Sequence, residues 1–531
     1  MACGNRGQDI LHGRTCSAAH AVAKLQWEEI VNIKPLLAGA LLASTTVVPA
    51  MAQANTDIVV VLGEELDLVD PCMATRSNIG RVVMQNISET LTELDVRGDA
   101  GLMPRLAESW EDLGDGTWQF KLREGATFSD GSAFDANDVK HSFDRVFSDQ
   151  LTCESARYFA DTDLTFEVLD DATINVTAEP AQPILPLLMS LVTIVPSETP
   201  MEFVRDPIGT GPYVMSEWTA GQQIVLDRRD DYWGEQPAVT KATYLFRSEP
   251  AVRAGMVAAG EADIAPLITP EVADNRNLDF AYANSETVYL RIDSQDAPTD
   301  DIRVRQALNA AIDREAFIGT VLPEGTELAV AMTPPTTLGW NPDLTPPAFD
   351  PERARQLLAE AQADGVDTSL PIEIIARTGN FANVTEVAEA ITQMLTDVGF
   401  NASLRMVEVA EHEQFYSKPY PESEGTRLIL AQHDNSRGDP VFSMFFKYAS
   451  EGTQSGVADP ELDEMIANAS AATGDDRAAL WSEVFAYVQE QIVADVLLFH
   501  MVGISRVSER LDFTPTIATN AQLQLSEIGF K

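Results

Sequence analysis

Apolar positions along the chain change period again and again, and each change predicts an element. TDIVVVLG, from Thr56, is an apolar run of strand length, whereas NISETLTELD, from Asn86, carries apolar residues at helical spacing. WQFKLRE alternates and puts Trp118, Phe120 and Leu122 on one face of a half-buried strand. FSDGSAF is a turn, and Asp135 behind it can cap a helix through VKHSFDRVF, with Asp138 near the positive end. FEVLDDATINVTAEP predicts a hairpin turning at Asp170-Asp171, and GTGPYVMSEW a glycine-rich turn leading into the alternating QQIVLDRRDDYW.

The second half is more regular. SETVYLRIDS, PIEIIAR, NASLRMVEV and LILAQ are strand-like. Between them stand helical patterns: DDIRVRQALNAAIDREAFIGTVL capped by Asp301, PERARQLLAEAQ capped by Asp350, VTEVAEAITQMLTDVGF, and ELDEMIANAS opened by Asp459-Pro460. Strands alternating with helices predict an α/β domain over about 285–495. A chain of 531 residues exceeds one core, so two or more domains follow. No low-complexity linker separates them, which predicts domains joined by crossing strands.

Charge narrows the function. The formal net charge is −46, a field that repels nucleic-acid phosphates and anionic lipid, so neither is expected as a partner. KPLLAGALLASTTVVPAMAQA, from Lys34, has the basic, apolar and Ala-Gln-Ala parts of a secretory signal, so residues 1–54 are expected to be removed, cleavage after Ala52 being the near alternative. The long stretch ahead of Lys34 suggests a misplaced start, with residues 1–30 an extension and translation beginning near Val31. Residues 1–54 carry a net charge of +1, so the mature chain stands at −47. Of four cysteines, Cys72 and Cys153 remain, a candidate disulfide in an exported protein. No cysteine follows the apolar run where a lipid anchor needs one, so the protein is expected in the periplasm, not as a lipoprotein.

Catalytic signatures are missing: the chain has no HExxH, GxSxG, Walker loop or CxxC. Gly209 and Gly211 precede a strand-like segment, not a helix, so they do not make a phosphate loop. The four mature histidines, His141, His412, His433 and His500, share no metal-ligand spacing, and no metal or cofactor is expected. The tripeptide Arg437-Gly438-Asp439 has no weight as an adhesion motif. A secreted hydrolase remains the enzyme alternative, because paired carboxylates cannot be counted out among 82 acidic residues. A periplasmic chaperone or adhesin is the interaction-protein alternative.

Four blocks in order resemble a known family: LAESWEDLGDGTWQFKLREGATFSDGSAFDANDVKHSFDRV (Leu106–Val146), PIGTGPYVMSEW with DDYWG, DDIRVRQALNAAIDREAFI, and PPTTLGW with FDPERARQLLAEA. Together they are similar to the extracytoplasmic solute-binding proteins of ABC transporters in the peptide/nickel/opine class, family 5. The resemblance implies a two-lobed α/β periplasmic binding protein fold (type II, cluster C). Lobe I would be 55–283 plus 498–531, with an extra small α/β subdomain at about 94–205, and lobe II 284–497. The crossover strands SETVYLRIDS and VADVLLFHMVGISR would form the hinge. It further implies a monomer, not an enzyme, that captures a di- or oligopeptide and hands it to membrane permease subunits. Opines, nickel chelates and sugar derivatives are the alternative cargoes.

The family's site residues carry over position by position. Dipeptide-binding members place an Asp-Asn and a Gly-Asp-Pro after a lobe II strand; here Asp434-Asn435 and Gly438-Asp439-Pro440 match, with Ser436-Arg437 inserted. Asp434 would hold the solute's α-ammonium. Arg377, in EIIARTGNF and about one position from the family's expected place, would hold the α-carboxylate through its planar fork, with Arg437 and Arg291 as other candidates. His433 either lines the pocket or fills space beside the strand, and Ala74 to Ser77 would face the cleft from lobe I.

Overall fold

The computed structural model describes residues 55–95, 101–159, 162–422, 425–435, 438–520 and 522–531. The expected signal segment, residues 1–54, lies outside them. Among the described residues, eleven strands form one mixed sheet. Its spatial order is Asn401–Val407, Pro371–Arg377, Thr426–Asp434, Asp279–Arg291, Asp495–Val507, Ile264–Ala265, Asp57–Leu62, Lys241–Phe246, Gln223–Arg228 and Tyr213–Thr219, with Glu327–Leu328 also pairing onto Asp495–Val507. Two 13-residue strands, Asp279–Arg291 and Asp495–Val507, run antiparallel at its centre and carry the chain between its two halves. Their register shifts between Ala283 and Thr287, so the pair is irregular where the halves meet.

The two halves bury separate cores. One cluster is built mainly from residues before Ile264, joined by the C-terminal Leu511, Leu523, Leu525 and Ile528. In the other half, alternation assigns side chains to opposite faces. Val288, Leu290, Leu428, Leu430, Ile374 and Ala376 pack on one, and Tyr289, Ile375, Ile429 and Ala431 on the other. Both faces of this half are covered, as parallel strands require. The molecule is thus two-lobed, with the crossing strands as the connection.

A second sheet orders Ala107–Gly114, Thr117–Leu122, Thr173–Glu179 and Asp163–Asp170. Phe120 and Leu122 of the alternating segment are buried in it while Lys121 is exposed. The helix Ala136–Val146 beside it starts on a capping box in which Asp135 and Asp138 each accept the other's backbone N–H. Gly209 and Gly211 are small because backbone passes close by: a Cβ would come 2.0 Å from the Ile87 carbonyl oxygen and 2.4 Å from that of Asn86.

One predicted helix does not form. NISETLTELD is a buried turn followed by the short strand Thr92–Asp95, and the helix sits earlier, at Ser77–Val83. Tertiary bonds outweigh the helical period here, since the Glu89 and Thr90 carbonyls accept from Ile194 and Leu106. The helix capped by Asp301 is also shorter than its pattern, ending at Ala310. Beyond it, Arg314 turns inward to donate to the carbonyls of Leu497 and Asn309.

Candidate functional site

The parallel strands of the second lobe, Pro371–Arg377 and Thr426–Asp434, end on the same side, facing the first lobe. Ligands of α/β sheets bind outside such carboxyl ends. A cleft of about 810 Å³ opens there. Gly63, Glu64, Ser77, Asn78 and Arg81 line it from the first lobe; Glu286, Arg377, Asn380 and Gln432 line it from the second. Met501 to Ile504, in the second crossing strand, also line it. A second groove of about 380 Å³ on the second lobe, near Leu357 and Val488, shares no lining residue with this cleft.

Asp434 is exposed at its strand's end and stands directly opposite Glu286 in the antiparallel register. The Ser285 hydroxyl donates to Asp434 Oδ1. Glu286 Oε2 accepts from Asn284 Nδ2 at 2.9 Å and from Gln432 Nε2. Burial and the neighbouring Asp434 charge push the Glu286 carboxyl up to about 7, against the pull of Arg81 and Arg377.

Arg81 is buried, and burial lowers its pKa. Its guanidinium donates to the carbonyls of Thr519 and Asn520 and to Asn78 Oδ1. Asn520 in turn donates to Ser285 Oγ at 3.0 Å, tying the C-terminal segment to the rim. Arg377 lines the cleft, and its Nε is buried without a hydrogen-bond partner among the described residues. Of the loop Ala74–Ser77, only Ser77 reaches the cleft lining.

Other expected site residues fall elsewhere. His433 is buried on the face opposite Gln432, with Nε2 2.9 Å from Ser443 Oγ; burial, with Lys447 and Arg157 nearby, holds it well below the usual histidine range. Asn435 is buried and its amide donates to the carbonyls of Ser285 and Met332, both at 3.1 Å, so it fastens the strand end. Arg291 points away from the cleft: its two terminal nitrogens donate to Tyr416 and Phe415 carbonyls at 2.8 Å, and its guanidinium stacks on Tyr420. Of these two guanidiniums, only that of Arg377 lines the cleft. Ser436 and Arg437 lie outside the described residues.

Gly438, Asp439 and Pro440 form a turn. Asp439 accepts from Val441 N and takes a two-pronged bond from Arg477, at 2.7 and 3.1 Å. Cys72 and Cys153 are joined, with Cα atoms 5.1 Å apart. That bond ties the loop before the Ser77–Val83 helix to the segment leading into Glu154–Phe159. Sequence reasoning passed over Glu286, Arg81 and Gln432. For Glu286 a signal existed: an acid two residues before the apolar Val288–Leu290 within a crossing strand. Among the described residues no group of three His, Cys, Asp or Glu side chains converges as a metal site.

Comparison with known proteins identifies the family and supports the fold. The dipeptide-binding protein of Escherichia coli (strain K12) is 29% identical over 391 residues, covering 66% of this chain and 72% of that protein. The nickel-binding periplasmic protein of the same organism is 27% identical, covering 75% and 81%. The periplasmic binding protein DppA from Helicobacter pylori, solved in complex with peptide STSA, superposes with a TM-score of 0.72 at 20% identity, over 89% of this chain and 98% of that one. The family profile described as bacterial extracellular solute-binding proteins, family 5 (middle region), matches residues 101–455. The chain belongs to the bacterial extracellular solute-binding proteins of family 5.

Proposed function

We propose that this protein is the solute-binding component of an ABC importer and that its cargo is a di- or oligopeptide bearing a free amine. Members of the family are transport proteins and not enzymes. The observation that carries the peptide reading is a pair of opposite charges at the carboxyl ends of two neighbouring strands: Arg377, which lines the cleft, and the exposed Asp434, further along its strand and directly opposite the cleft-lining Glu286. An α-ammonium suits Asp434 and an α-carboxylate Arg377, each by a charge-assisted hydrogen bond. Lobe I as 55–283 plus 498–531, and lobe II as 284–497, place the crossing strands as hinge. Closure then follows from binding: the solute stabilises the shut form only by contacting both lobes at once. The shut form is what the permease subunits recognise. The expected setting is the periplasm, with the protein acting as a monomer; among the described residues no helix is long and apolar enough to cross a membrane.

Calorimetry with alanine di-, tri- and tetrapeptides, each beside its N-acetylated form, tests this. Saturable one-to-one binding of a free-amine peptide, absent for the acetylated one and without product, is expected. Equal binding of both forms contradicts the amine requirement, and turnover contradicts the binding role.

A further inference from the structure

Two carboxylates directly opposite one another in an antiparallel pair repel, and sheets avoid this arrangement. Glu286 and Asp434 are such a pair. The surrounding positive charges, Arg81 and Arg377, pull on Glu286 but are outweighed by burial and Asp434. Arg81, from the helix Ser77–Val83, directs its donors to backbone carbonyls and Asn78, and Arg377 sits at the neighbouring strand end. Neither forms an ion pair with Glu286 among the described residues. Tyr282, on the same strand as Glu286, is buried with its hydroxyl beside Ser505 Oγ and adds no positive charge. Both side-chain hydrogen bonds to Glu286 land on Oε2, leaving Oε1 without a partner among the described residues, on a side chain that lines the cleft.

We propose that Glu286 and Asp434 together form the seat for the cationic end of the solute, so that its amine lies between two carboxylates and a proton leaves the protein as it binds. This rests on the reading that the cleft takes an amine-bearing peptide. In the empty cleft Glu286 keeps its proton because burial and Asp434 disfavour a second charge. An arriving ammonium brings the missing positive charge and three N–H donors. Glu286 gives its proton to solvent, and the ammonium donates to both carboxylates. Net charge in the site is unchanged by this exchange, which is the arrangement a buried seat favours. A neutral or N-blocked solute cannot displace the proton and would leave the pair unresolved.

Wild-type protein titrated calorimetrically with the alanine peptides, at pH 6.5 in phosphate and in Tris, counts the protons released. Between about half a proton and one per bound peptide is expected at pH 6.5, passing through zero to a net uptake of about half a proton at pH 8, where the peptide's own α-amine must gain a proton to bind. Glu286→Gln should release none. It should also bind about tenfold more weakly than wild type at pH 8, with the gap closing at pH 5.5. If wild type binds and Asp434→Ala does not, while Glu286→Gln binds as wild type at pH 8 or wild type releases no proton, the two-carboxylate seat is wrong and the peptide reading stands. If no peptide binds to wild type, the peptide reading falls and takes the seat with it. The proton count needs no variant, so a poorly folding Glu286→Gln does not shelter the proposal.

Discussion

Two acidic residues of this molecule sit in opposite circumstances. Asp70 is completely buried, and each of its oxygens is answered: Cys72 N and Val204 N donate to it at 2.9 and 2.7 Å, and Arg145 Nη2 at 3.0 Å. Arg145 also holds the carbonyls of Pro200 and Glu202. Glu286, at the cleft, faces another carboxylate and keeps an oxygen in reserve. A buried charge whose every bond is made is part of the architecture. An acid at a cleft that faces another carboxylate, is held protonated by it and has an oxygen unmet among the described residues is placed to answer something from outside.

Breaking the first arrangement should have the largest effect. Asp70→Ala leaves Arg145 buried and unpaired, and is expected to lower unfolding free energy by about 3–5 kcal/mol in urea titrations. Solute affinity of the molecules that remain folded should not change. Removing the cleft acid should do the reverse. Asp434→Ala is expected to weaken an amine-bearing peptide by about 2–5 kcal/mol by calorimetry, with stability unchanged. Should both substitutions alter stability alike and neither touch binding, the contrast between them would be empty.

The Cys72–Cys153 bond sharpens the architectural side, because it lies next to Asp70 and closes a separation of 81 residues. Its reduction should cost about 2–4 kcal/mol. Alkylation of the unfolded, unreduced protein should add no mass at these positions; labelling of both thiols there would show that the bond is absent.

The smallest expected effect is on stability against pH. Glu286 and Asp495 are each pushed up to about 7 in the folded state, mainly by burial. The folded protein then holds more protons than the unfolded chain, so their contribution is full at low pH and is lost as pH rises through about 7. His412 and His500, lowered to about 4 by burial, act the other way, and stability rises with pH between about 4 and 6.5. The opposing slopes partly cancel in the wild type. Glu286→Gln removes one of them, so the variant should match wild type at pH 4 and gain about 1 kcal/mol by pH 8, a figure reduced for its partial exposure. Parallel pH profiles for the two proteins in thermal melts would mean that Glu286 titrates normally.

Much of the fold was legible in the sequence because local signals and tertiary structure agreed. Asp135, Asp301, Asp350 and Asp459 each accept a backbone N–H at a helix start, as their positions before helical patterns imply. The crossing strands were visible as strand-like segments. Asn86–Asp95 was misread because its apolar spacing reflects a buried turn fixed by distant carbonyl bonds, which no local period records. The site was legible in one dimension only. Asp434 stands on a motif position and Arg377 about one position from another, but nothing in the sequence says that Arg291 turns away to cap carbonyls or that His433 faces Ser443. Register decides which residues oppose each other, so the pairing of Glu286 with Asp434, 148 positions apart in the chain, appears only in the folded sheet.

Native mass spectrometry of the protein as purified tests the central claim most directly. A single small solute carrying a free amine, bound one to one by wild type and missing from Asp434→Ala, is the expected result. A solute without an amine, retained equally by both proteins, would contradict the account.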